Sequence, residues 1–360
     1  MSGPHSAGDL IGNRYEIASE IGEGGMQFVY AAHDRLIDRM VALKTPKNRS
    51  ATKRFKRSAI VAAKVNHPNV AKTLDYVRDN DNRYLIEELI EGQNLEDALL
   101  RRSGCLDPFS AAKVLHYLAK GVAAAHHAGV VHRDLKPTNL MVVGGYSLTE
   151  IKITDFGIAK MAGEELIEAA EGGSSTMTTS QTAVGALPYM APEAIETPRE
   201  VGPPADVWSI GAMMFHLLSG APPFGIGLLA VRRILEAASP PTPFFLTSNP
   251  QFSPLATQLM DITHSCLRKD PADRPTADDI VLQCGRLCYS SDSRAEGTIK
   301  TISYGKYGFI GSSGPDVFFH TSSVYGPKSA KVGDSVIFAS YDGGGAWRAH
   351  PVVVVDPPAA

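Results

Sequence analysis

The chain has 360 residues, 44% hydrophobic and 20% charged, with a formal net charge of −3. That length favours two or three structural units, and that balance belongs to a chain that buries cores. It excludes a strongly basic nucleic-acid-coating protein and a polybasic membrane binder, so any nucleic-acid site has to be local. No apolar run approaches the roughly 18 residues of a spanning helix, and residues 1–16 lack the apolar centre of a signal peptide. The expectation is a cytoplasmic protein without a membrane partner. Cys105, Cys266, Cys284 and Cys288 lack the paired spacing of a zinc site. They read as buried or half-buried thiols, with Cys284 and Cys288 on one helix face.

Residues 14–47 alternate apolar and polar side chains around a glycine cluster and reach Met40-Val41-Ala42-Leu43-Lys44. This predicts strand, turn, strand and strand. Residues 51–65 read as a helix that must end by Asn66-His67-Pro68, and residues 84–90 as a buried strand. From Leu95 the pattern is mainly helical, with apolar periodicity over 110–128, 205–218, 227–237 and 254–267. Residues 161–182, rich in Glu, Gly, Ser and Thr, read as a mobile loop. The polar run Tyr289-Ser290-Ser291-Asp292-Ser293 marks a boundary. Beyond it, residues 297–355 alternate short β-prone runs with glycine turns, which predicts a small barrel. No internal repeat is visible.

Within this order stand groups suited to moving a phosphoryl group, a reaction governed by positioning and charge neutralisation. Gly22-Glu23-Gly24-Gly25-Met26-Gln27-Phe28-Val29 offers a turn whose glycines let amides approach phosphate oxygens. Lys44 ends a β-prone run from which its ammonium reaches α- and β-phosphates. His132-Arg133-Asp134-Leu135-Lys136-Pro137-Thr138-Asn139 offers Asp134 to an acceptor hydroxyl, Lys136 to the moving phosphate and Asn139 to a metal. Asp155-Phe156-Gly157, after Ile151-Lys152-Ile153, supplies a second metal carboxylate, and Ala191-Pro192-Glu193 closes the loop that Asp155 opens.

Over residues 14–286 these motifs resemble the bacterial eukaryotic-like serine/threonine protein kinases. The resemblance implies a β-rich lobe (14–92), a helical lobe (93–286), ATP and Mg2+ as cofactors with Mn2+ as an alternative, and protein Ser/Thr acceptors. It further implies that Glu88 to Ile90 present backbone groups to adenine and that Val29, Ala42 and Met141 sandwich the ring. Asp206 would brace the catalytic loop, and Arg274 would pair with Glu193. Arg133 would await a phosphorylated loop residue, with Ser180 and Thr182 favoured for autophosphorylation ahead of Thr178 and Thr179, in a possible homodimer. Four positions depart from the family pattern: Gln27 for the third loop glycine, Ser58 for the helix glutamate that pairs with Lys44, Glu87 for an apolar residue, and Ala186 for threonine. Glu87 either substitutes as the partner of Lys44 or faces solvent as a hinge carboxylate. A catalytically weak scaffold and, less favoured, a small-molecule kinase are the competing readings.

After a linker at 287–293, residues 294–356 carry Gly297-Thr298-Ile299-Lys300, Lys306-Tyr307-Gly308-Phe309-Ile310 and Asp316-Val317-Phe318-Phe319-His320. These resemble the cold-shock domain, which implies that Lys300, Tyr307, Phe309, Phe318 and His320 bind single-stranded RNA or DNA. Docking of a protein, or self-association, on the same face is the alternative. Trp347 and Arg348, read as a loop after Gly343-Gly344-Gly345, either extend the stacking or cover the barrel base. The expected fold class is therefore α+β: a bilobal protein kinase fold followed by a five-stranded all-β barrel of the oligonucleotide-binding type.

Overall fold

The computed structural model describes residues 3–23, 27–47, 52–156 and 185–357, except the side chains of residues 52–54, 57, 58 and 228. The first lobe is a six-stranded antiparallel sheet ordered β1-β2-β3-β4-β6-β5. Its strands are β1 (Leu10–Ile11), β2 (Tyr15–Glu23), β3 (Gln27–Asp34), β4 (Arg39–Pro46), β5 (Thr73–Asp79) and β6 (Asn82–Glu88). In β4 and β6 register, Ala42 faces Glu87 and Lys44 faces Leu85. Side chains alternate across a strand, so Lys44 and Glu87 share one face as diagonal neighbours, within reach of long side chains. Helix α1 (Thr52–Ala62) lies on this lobe through Phe55 and Ala59, which pack with Leu85.

Three short strands, β7 (Gln93–Asn94), β8 (Leu140–Val143) and β9 (Glu150–Ile153), form the small sheet at the lobe junction. Below it, helix α2 (Pro108–His127) starts where Asp107 accepts from the amides of Phe109 and Ser110, with proline in the first turn where its missing N–H costs nothing. Helix α3 (Pro203–Ser219) is buried nearly all round and carries the fully buried Trp208. Helices α4 (Leu228–Glu236), α5 (Ser253–Cys266) and α6 (Ala277–Cys284) also belong to this lobe. Because α6 stops before Gly285, Cys284 is buried but Cys288 lies exposed beyond the helix, so the two do not share a face.

The C-terminal strands are β10 (Ala295–Ser303), β11 (Tyr307–Gly311), β12 (Val317–His320), β13 (Val324–Tyr325), β14 (Ser335–Asp342) and β15 (Trp347–Val355). Their pairings run β10–β11–β12–β15–β14 and back to β10, a closed ring with β13 added beside β15. Ile299, Ile310, Phe319, Val336, Phe338 and Val352 fill it. Trp347 and Arg348 open the last strand rather than lying in a loop.

The barrel is fused to the helical lobe. Tyr325, Ile337, Val353 and Val355 join the same buried cluster as Cys105, Leu106 and Leu217. The Tyr325 hydroxyl donates to the Leu218 carbonyl at 3.1 Å, and Asn249 Nδ2 to the Ser322 carbonyl at 2.7 Å. Arg102 pairs with Glu296 and exchanges backbone and side-chain bonds with Asp356. The 287–293 stretch is itself pinned, its Tyr289 hydroxyl 3.0 Å from His116 Nδ1. Arg294 Nη2 reaches Asp107 Oδ1 at 3.0 Å, both side chains buried. Removing one partner of a buried pair strands the other charge. Arg294→Leu is therefore expected to lower unfolding free energy by about 3 kcal/mol, measured by urea denaturation of the whole chain; an unchanged midpoint would show that the pair does not hold the barrel.

Candidate active site

A cleft of about 1140 Å³ opens between the two lobes. Gly22 and Val29 line its roof, with Ala42 and Lys44 from β4. Glu87, Glu88 and Ile90 line its back, and Asp134, Lys136, Asn139, Met141 and Asp155 its floor. Gly24 and Gly25, the loop at 161–182 and the phosphorylation candidates Thr178, Thr179, Ser180 and Thr182 lie outside the described residues.

The loop bearing Asp134 is held from below by a buried carboxylate. Asp206, fully inaccessible, accepts from the amides of His132 at 2.8 Å and Arg133 at 2.7 Å, and His126 Nε2 lies 2.9 Å away. These bonds stabilise Arg133 at a φ of 69°, a conformation that non-glycine residues rarely adopt. His132 Nε2 lies 2.8 Å from the Thr154 carbonyl, and its ring packs edge-on against Phe156 at 4.5 Å. Lys136 Nζ lies 2.9 and 3.1 Å from the Asp134 carboxylate, and Asn139 Nδ2 donates to the Asp134 carbonyl at 2.7 Å and to Oδ2 at 3.1 Å. On the far side, Arg274 grips Glu193 through two bonds of 2.6 and 2.9 Å.

Above this loop, Lys44 Nζ sits 2.6 Å from Glu87 Oε2 and 2.8 Å from Asp155 Oδ1. Lys44 is 6% exposed and Glu87 4%, so Glu87 is a buried partner of the lysine rather than a solvent-facing hinge carboxylate. Burial disfavours charge on Lys44, but Asp155 and Glu87 outweigh it and raise its pKa above the ordinary lysine value. Burial likewise opposes ionisation of Asp155, yet Lys44 and Gln27 hold its carboxyl below the usual range. At Glu87 burial prevails over the pull of Lys44, and the carboxyl is raised. One ammonium thus serves two carboxylates, and Asp155 is the more readily charged.

Asp155 Oδ1 also accepts from Gln27 Nε2 at 2.8 Å. With Oδ1 taken twice, Oδ2 is left for a cation, and with its amide nitrogen on Asp134, Asn139 is left with its amide oxygen. Both are hard oxygen donors and fit a divalent cation of the Mg2+ or Mn2+ type. Among the described residues no cluster of three or more His, Cys, Asp or Glu could hold an ion unaided. That suits a cation held by one or two carboxylates together with phosphate oxygens.

At the hinge, the Glu88 amide donates to the Lys72 carbonyl and the Ile90 carbonyl accepts from the Gly92 amide. The Glu88 amide is therefore not offered to a ligand, whereas the Ile90 carbonyl keeps a second lone pair; among the described residues the Ile90 amide donates to no backbone carbonyl. The Glu88 side chain is tied to Lys152 at 2.8 Å.

On the barrel, Tyr307 faces His320 and Phe309 faces Phe318 across β11 and β12, so all four share one surface. Tyr307 and Phe318 are stacked 5.8 Å apart, Phe309 meets Phe318 edge-on at 5.9 Å, and the Arg348 guanidinium lies 5.7 Å from the Phe318 ring centre. Tyr304, which sequence reasoning missed, is 88% exposed and 6.3 Å from Tyr307. Its turn position carried no strand pattern to flag it. His320 is bonded to Ser322, and Lys300 pairs with Asp316 at 2.6 Å.

The family model described as "Protein kinase domain" matches residues 15–283. The chain is 33% identical over 286 residues to a probable serine/threonine-protein kinase of Clostridium perfringens, covering 76% of this chain and 38% of that one. It is 31% identical to the serine/threonine-protein kinase PrkC of Bacillus subtilis, with 76% and 40% covered. To the serine/threonine-protein kinase PknA of Mycobacterium tuberculosis it is 33% identical, with 78% and 63% covered. The chain belongs to the protein kinase family. It spans 38% and 40% of the first two relatives' lengths. Among the described residues, no helix is long and apolar enough to cross a membrane.

Misplacing a reacting group by about 1 Å costs on the order of 100-fold in rate. Glu87→Met is expected to lower phosphate transfer roughly 100-fold in a chain whose thermal unfolding stays cooperative, and full transfer in this variant would dismiss Glu87 as the group that orients Lys44.

Proposed function

We propose that the chain is an ATP- and Mg2+-dependent protein serine/threonine kinase that autophosphorylates its activation segment and carries a nucleic-acid-binding barrel of the oligonucleotide-binding type. The observation that carries the first part is the convergence of Lys44, Asp134, Asn139 and Asp155 on one cleft. Lys44 orients the α- and β-phosphates, Asp134 accepts the proton of the acceptor hydroxyl, and Lys136 steadies the moving phosphate. Bound Mg2+ supplies charge neutralisation across the phosphate oxygens, with Asp155 and Asn139 as its protein ligands. Val29, Ala42 and Met141 sandwich the adenine. A scaffold reading rests on the altered Ser58, Gln27 and Ala186; the Lys44–Glu87 pair supports the kinase reading by giving Lys44 a carboxylate other than one from the helix. The Glu193–Arg274 clamp supports a platform for protein rather than small-molecule acceptors.

Asp134→Asn is expected to reduce label transfer from ATP by about 10²- to 10⁴-fold in the presence of Mg2+. In the active chain the label should map to Ser180 or Thr182. Equal transfer by wild type and variant would overturn the assignment of Asp134.

For the barrel, ring order and the stacked Tyr307–Phe318 pair support base stacking on unpaired strands. Arg294, Lys300 and Lys328 are engaged in ion pairs, so phosphate attraction is weak and the salt dependence shallow. Phe318→Ala should weaken binding of a short single-stranded oligonucleotide by about 1–3 kcal/mol in fluorescence anisotropy. No binding by the wild-type chain would favour protein docking on this face.

A further inference from the structure

Gln27 stands at the start of β3, where the resembled kinases carry glycine, and only 7% of it is exposed. Its Nε2 donates to Asp155 Oδ1, while its Oε1 is buried and, among the described residues, has no hydrogen-bond partner. The two amide ends are not interchangeable, because an ionised carboxylate only accepts hydrogen bonds and so must face the NH2 group. The oxygen is thus turned away from Asp155 Oδ1 but stays next to that carboxylate. A buried acceptor left unmatched is destabilising, so the arrangement calls for an electrophilic or donor group at that point.

We propose that Gln27 Oε1 is a third protein ligand of the divalent cation held by Asp155 and Asn139, an inference that rests on that cation occupying the cleft. A neutral amide oxygen is a hard donor suited to Mg2+ or Mn2+. It completes coordination without adding a negative charge beside Asp155 and Glu87. The same side chain fixes one oxygen of Asp155 and offers its own, which ties the roof of the cleft to the floor once the ion is bound.

The test is Mn2+ titration of the full chain with a non-hydrolysable ATP analogue, read by the electron paramagnetic resonance of free Mn2+ and run in a Cys288→Ser background to remove the exposed thiol. Gln27→Leu should weaken Mn2+ binding about tenfold. Gln27→Cys should move the Mn2+/Cd2+ preference about tenfold toward Cd2+, because a thiolate is a soft ligand. Unchanged Mn2+ affinity in a folded Gln27→Leu variant would overturn the proposal. So would weakened Mn2+ binding with an unmoved Mn2+/Cd2+ ratio in Gln27→Cys, since that leaves Gln27 only orienting Asp155. If the leucine variant fails to fold by circular dichroism, the cysteine ratio alone decides. A wild-type chain that binds Mn2+ through Gln27 but transfers no phosphate would defeat the kinase reading and leave this ligand assignment standing.

Discussion

A buried ammonium has to be neutralised, and much of the upper lobe is arranged to do it. Lys44 is almost wholly removed from water, and an unpaired charge there would cost far more than a small lobe could supply. Its partners come from two directions: Glu87 from the adjacent strand of the same sheet and Asp155 from below. The strand partner is set by backbone register, so it moves only if β4 and β6 slide past each other. Among its described side chains, helix α1 engages the sheet through Phe55 and Ala59, which pack with Leu85.

The lower lobe answers the same problem with opposite sign. Asp206 is a fully buried carboxylate, and it is satisfied by two backbone amides and a histidine rather than by a lysine or arginine. Amides in a fixed loop are already oriented, so the bonds stiffen the backbone that presents Asp134 instead of merely cancelling charge. Lys136 and Asn139 then confine the Asp134 carboxylate from the other side. A buried lysine in the upper lobe and a buried aspartate beneath the loop of the lower one thus hold elements that line the cleft.

Much of this was legible in the amino-acid order, for a physical reason. Lys44, Asp134, Asn139 and Asp155 stand in short runs whose residue types and order match a phosphoryl-transfer pattern, so they can be read locally. The helices were legible from apolar periodicity, because α2, α3 and α5 bury one face or more. The choice between a paired and a solvent-facing Glu87 was not, because it depends on how β4 and β6 align across many intervening residues. The Gln27–Asp155 bond joins positions 128 residues apart and has no local signature. Cys288 was misread because a helical pattern does not announce that the helix stops before Gly285. The 287–293 stretch reads as a linker from its polar composition, which carries no sign that Tyr289 within it and Arg294 just after it each find a partner far away in sequence.

The shared apolar core between barrel and helical lobe changes what counts as the moving part. The upper sheet faces a single composite base, made of the helical lobe and the barrel together. The aromatic face of Tyr307, Phe309 and Phe318 belongs to that base and keeps a constant bearing toward Asp134. Anything seated on that face would therefore meet the cleft from one direction and at one reach, fixed by the shared core rather than by a flexible connection.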